Sequence, residues 1–112
     1  MNMNKEIAVQ MHNLTETFKE IIEITVGYLY NDKNAEGIQL LSEMFDVILS
    51  NSTIKQLFPE DVKELAFRSA EIIELLENND YVSVSDILEY QVLPIFRNWN
   101  NQLSSKETTT NN

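Results

Sequence analysis

Apolar residues recur at spacings of three and four along most of the chain, which predicts helices rather than strands. In residues 4–30 the positions Ile7, Met11, Leu14, Phe18, Ile21, Thr25 and Tyr28 form one seam. Ile22, Val26 and Leu29 widen it into a buried face. The turn-forming run "NDKN" (31–34) ends this helix, and Asn34 is the predicted N-cap of the next. The second helix, about 35–51, has the seam Ile38, Leu41, Phe45 and Ile48, flanked by Leu40, Met44 and Val47. "SNST" (50–53) closes it, and "TIKQLF" reads as a short turn whose Ile54, Leu57 and Phe58 cover one end of the fold.

The third helix opens at "LFPEDVKEL". Pro59 suits the first helical position, where its missing donor is harmless, and Glu60 and Asp61 favour the positive end of the helix dipole. Val62, Leu65, Ser69, Ile72 and Leu76 line its seam, flanked by Ala66 and Ile73, as far as "NND" (78–80). A fourth helix starts at Asp80 or Ser83; both have capping spacing, Asp80 to Ser83 and Ser83 to Asp86. Val84, Leu88, Val92, Ile95 and Trp99 share one face of it. The predicted fold is all-α, an antiparallel four-helix up-down bundle over residues 1–103, because short polar links force neighbouring helices to run oppositely. Residues 104–112, "SSKETTTNN", are polar and predicted to be a disordered tail.

One feature breaks this regular pattern. Pro94 sits inside "DILEYQVLPIFRNW" (86–99), where a proline removes a donor and collides with the carbonyl four residues back, at about 3 kcal/mol in a helix interior. The last helix is therefore predicted to kink or break next to Pro94. The same stretch has more apolar residues than one face needs: Tyr90, Leu93 and Phe96 fall off the Val92–Ile95–Trp99 stripe. In the first helix Ile24 and Tyr30 fall off the seam in the same way, and Gly27 is expected to admit a close neighbour. Either both helices lie deep in the core, with kinking rotating their faces, or the excess is an exposed apolar patch, which in this composition marks an interface. Tyr90, Leu93, Pro94, Phe96, Arg97 and Trp99 are the candidate partner-binding residues, with the chain itself or another protein as partner.

Composition narrows the function. The 112 residues hold two glycines, two prolines and no cysteine, which fits long helices and removes disulfides, thiol nucleophiles and cysteine metal sites. Eighteen acidic against eight basic residues give a net charge of −10, which disfavours nucleic acid and anionic membranes as partners. No signal-peptide core or membrane-length apolar run is visible, so the expected location is the cytoplasm. His12 is the only histidine, so a catalytic triad or a two-histidine di-iron site has nothing to draw on, and it is read as a surface or boundary residue. No catalytic residues, metal ligands or cofactor are expected, and the chain reads as a non-enzyme. The alternative is a carboxylate-rich bundle that binds a metal or small ligand. It rests on the rows Glu16, Glu20, Glu23 and Glu71, Glu74, Glu77, which otherwise are solvated faces or meet a basic partner.

The stretch "SDILEYQVLPIFRNW" resembles small bacterial all-helical proteins, some associated with motility or surface-glycosylation gene neighbourhoods. Asp86, Glu89, Tyr90, Pro94 and Trp99 are the matching positions. The resemblance implies an all-helical bundle and transfers no catalytic residue.

Overall fold

The longest helix organises the packing. The computed structural model describes residues 4–109, with side chains as far as Ser104. α1 spans Lys5–Tyr30 and packs along α6 (Leu93–Thr109) and α2 (Asn34–Ser50). The short α3 (Ser52–Leu57) leads into α4 (Pro59–Glu77), which packs on α2 and on α5 (Tyr81–Ile87). A π-helical segment, Leu88–Val92, joins α5 to α6 without a loop. All these elements are helices, and no strand occurs among the described residues.

Local chemistry accounts for the boundaries. Asn4 caps α1 by accepting from the Ile7 amide at 2.8 Å, and Asn51 caps α3 by accepting from Ile54 at 2.9 Å. Pro59 occupies the first turn of α4. Asp80, rather than Ser83, caps α5: its carboxylate accepts from the Ser83 amide and, at 2.7 Å, from the Ser83 hydroxyl. The expected cap at Asn34 is corrected, since α2 includes Asn34 and starts from Lys33 without a side-chain cap. Asp32 and Asn79 take positive φ of 59° and 55° where α1 and α4 end, a conformation that Asp and Asn tolerate better than most residues.

The core runs through Phe18, Ile22, Met44, Ile48, Leu65, Ile72, Leu88, Phe96 and Trp99. On α1 the buried face is Ala8, Thr15, Phe18, Ile22, Thr25, Val26 and Leu29, with Met11, Leu14 and Ile21 at its border. The seam predicted on Ile7, Met11, Leu14 and Tyr28 is thus rotated toward the flanking row. Gly37, not Gly27, is the close approach. A Cβ at Gly37 would lie 3.4 Å from Leu29 Cδ2 and 3.6 Å from Thr25 Cγ2, whereas one at Gly27 meets nothing within 4 Å.

The π-segment explains the largest departure from the predicted faces. The core positions Val84, Leu88, Val92, Phe96 and Asn100 follow one another in steps of four. In an α-helix each such step overshoots a full turn by about 40°, so the row would wander by about 160° from Val84 to Asn100. A π-turn takes one more residue into a turn and removes about 100° of that drift. The Leu93 amide accordingly donates to the Leu88 carbonyl, five residues back. Leu93 and Phe96, expected off the core stripe, are therefore buried, while Ile95 is only half-buried. The polar tail expected from residue 104 continues α6 in its backbone as far as Thr109, and residues 110–112 lie outside the described residues.

Candidate functional site

The last rod divides into an inner and an outer face. Inside, Trp99 stacks on Phe58 with ring centroids 4.6 Å apart at an interplanar angle of 10°. Its indole Nε1 donates to Asp61 Oδ2 at 2.8 Å, so α6 is tied to the first turn of α4. Phe96 stands 5.4 Å from Phe18 on one side and 5.4 Å from Trp99 on the other. One turn further on, Asn100 Nδ2 donates to Glu16 Oε1 on α1. Contacts to α1 thus pair lower numbers on α1 with higher numbers on α6. Leu93, Phe96 and Trp99 are buried in the single chain, with Trp99 1% exposed. Phe96 and Trp99, expected as surface contacts, are instead core anchors that fix the rod, whereas Leu93 borders the groove described next.

Outside, Tyr90, Pro94 and Arg97 recur at four and three and are all exposed, Tyr90 to 69%. Opposite them on α1 stand Glu23 and Val26, with Tyr30 one turn beyond on the same stripe and 65% exposed. Between the two helices lies a cleft of about 440 Å³. Its floor is apolar, made by Ile22, Val26 and Leu93. Its rim carries Glu23, Glu89, Tyr90, Pro94 and Arg97. Four of the six candidate residues therefore meet at one groove, Leu93 as part of the floor. Ile22, Glu23, Val26 and Glu89 complete it and were not singled out for this role by the sequence. The signal was present in the spacing of Glu23, Val26 and Tyr30, which share a stripe on α1.

Some charges away from the groove are paired. Arg68 on α4 holds Glu64 at 3.0 Å and Glu71 at 2.9 Å, and reaches Gln91 Oε1 in the π-segment at 3.3 Å. The hydrogen bond to Glu71, aided by Glu64, raises the Arg68 pKa above its ordinary value against a smaller opposing desolvation. On α1, Glu16 takes Lys19 at 3.4 Å and stands 3.6 Å from His12 Nε2. His12 is half-buried at the boundary. Among the described residues no three His, Asp or Glu side chains stand together as a metal ligand set. No described helix is long and apolar enough to cross a membrane.

By fold and site this is an all-helical protein with a groove between its first and last helices, apolar below and charged at the rim. The chain belongs to the family described as Domain of unknown function (DUF8042), whose model matches residues 6–102. That span takes in every residue of the groove. No curated protein and no solved structure matches the chain.

Proposed function

We propose that this protein is a non-enzymatic, cytoplasmic interaction module that receives a segment of another protein in the groove between α1 and α6. The observation that carries this reading is the groove itself: an apolar floor beside a large exposed aromatic, Tyr90, framed by charges. Tyr and Arg at the edge of a desolvated patch are the types that dominate protein interfaces. A second copy is the weaker occupant, because each chain carries a net charge of −10 and two copies repel. The wider architecture proposed is an up-and-down antiparallel bundle whose last rod bends at the π-segment and Pro94. The order of the α1–α6 contacts supports the first part, and both π-turns and prolines are causes of helix kinks. The resemblance to bacterial motility-associated proteins fits an adaptor or chaperone role.

The carboxylate-rich cation binder has less support, since the acidic rows do not converge on one point among the described residues. Capture from native lysate tests the main reading. Wild type is run beside Tyr90→Ser and beside Phe67→Ser, a control at a residue 61% exposed on α4 away from the groove. Partners lost with Tyr90→Ser and kept with Phe67→Ser are the expected result. A partner set that neither substitution alters removes the groove from the account.

A further inference from the structure

Three charged side chains at the groove define what kind of segment it takes. Glu23 stands on the α1 wall, and Glu89 and Arg97 on the opposite wall. Among the described residues none of the three has an ion-pair partner, within the groove or outside it. Glu23 and Glu89 therefore stand on opposite walls of an apolar floor, and Arg97, on the Glu89 wall, pairs with neither. The groove runs from Glu89 to Arg97 along the rod, about 12 Å or two helical turns. Resting on this reading of the groove as a protein-binding site, we propose that its occupant is a basic amphipathic helix. The apolar stripe of that helix lies on Ile22, Val26 and Leu93 against the ring of Tyr90, and Lys or Arg side chains flanking the stripe pair with Glu23 and Glu89. Arg97 takes an acidic side chain or the C-terminal end of the incoming helix, whose partial negative charge suits a guanidinium.

Two arguments favour a helix over other occupants. A seam between two packed helices accepts the ridge of a third, with anchors spaced three and four apart. The groove is also open along its rim, where Glu23, Tyr90, Pro94 and Arg97 are all exposed, so it lacks the enclosure typical of small-ligand pockets. The net charge of −10 adds long-range attraction for a basic segment and repulsion for an acidic one. Exposed ion pairs change affinity only a few-fold each. With two pairs gained by the basic segment, and repulsion of similar size for its acidic counterpart, the expected discrimination is about tenfold.

The probe is a synthetic Ala-rich amphipathic peptide of about four turns, long enough to populate a helix, with a Leu stripe flanked by Lys. Its twin carries Glu in place of every Lys. Binding of both to the full chain is measured by fluorescence anisotropy at low and high salt. The Lys peptide is expected to bind about tenfold tighter than the Glu twin at low salt. Glu23→Gln with Glu89→Gln should narrow that gap several-fold, with the helical circular-dichroism melt unchanged. Equal affinity for the two peptides would overturn the basic occupant and leave the groove as an apolar protein site. Tighter binding of the Glu twin, or binding of neither, also overturns it. Lys-peptide binding untouched by Tyr90→Ser would place the site elsewhere and sink the underlying reading as well. A concentration-dependent dimer in light scattering that Tyr90→Ser abolishes would make a second copy the occupant and contradict the proposal.

Discussion

Trp99 and Tyr90 are both large aromatic residues on the same rod, yet one is 1% exposed and the other 69%. Their neighbours explain the difference. Trp99 has Phe58 against its ring face, Phe96 against its edge and Asp61 at its only polar atom, so nothing of it is left for water. Tyr90 sits at the groove rim in the π-segment. The contrast shows that composition marks an unusually apolar stretch more readily than it assigns each residue within it to the core or to the surface. Half of an aromatic-rich segment anchors the rod, and the other half lies open at the groove rim.

The largest expected effect separates the two halves directly. Trp99→Ala removes the stack, the tilted contact and the indole donor together, and should cost about 3–5 kcal/mol of stability. Tyr90→Ala, on the exposed face, should change stability by less than about 0.5 kcal/mol. Urea unfolding of the two variants measures both, and comparable losses would erase the division. A finer cut keeps an aromatic face but removes the donor and one ring of the indole: Trp99→Phe should cost about 1–3 kcal/mol, with Asp61 losing its indole partner. If Trp99→Phe is neutral, packing alone holds the anchor.

The fold was legible in the sequence wherever one periodicity ran unbroken. α2 and α4 bury Leu41, Phe45, Ile48, Val62, Leu65 and Ile72 as their spacing required, and Pro59 and Asp80 open helices for the chemical reasons expected of them. Legibility failed where a helix gained a residue within a turn. A seam read at fixed α-helical pitch puts Leu93 and Phe96 outside the core, and only the π-turn brings them in. The sequence flagged that place through Pro94 but not the sense of the adjustment, because a proline states which bond is missing and not how the ladder closes around it. The groove was legible on one wall only. Tyr90, Pro94 and Arg97 stood out as excess, whereas Glu23 and Glu89 looked like ordinary surface acids until α1 and α6 were brought side by side.

A smaller effect sharpens the comparison on α1. Gly27 follows Glu23 by one turn toward the open side of the helix, and a Cβ there meets nothing within 4 Å. Gly27→Ala should therefore stabilise the protein by about 0.5–1 kcal/mol through helix propensity alone. Gly37→Ala has the same propensity gain but must press on Leu29 at 3.4 Å, so it should gain less or lose stability. Thermal melts rank the pair, and the opposite order would mean that α1 is covered at Gly27 and that α2 stands clear of α1 at Gly37.

The absence of cysteine makes one measurement decisive. Single substitutions Tyr90→Cys, Pro94→Cys, Arg97→Cys, Phe96→Cys and Trp99→Cys can each be tested for thiol-labelling rate in the folded protein, alone and with the captured partner. Labelling should be fast at 90, 94 and 97 and slow there when the partner binds, and slow at 96 and 99 in both states. Uniform rates along the rod, or a partner that leaves positions 90, 94 and 97 as reactive as before, would contradict this.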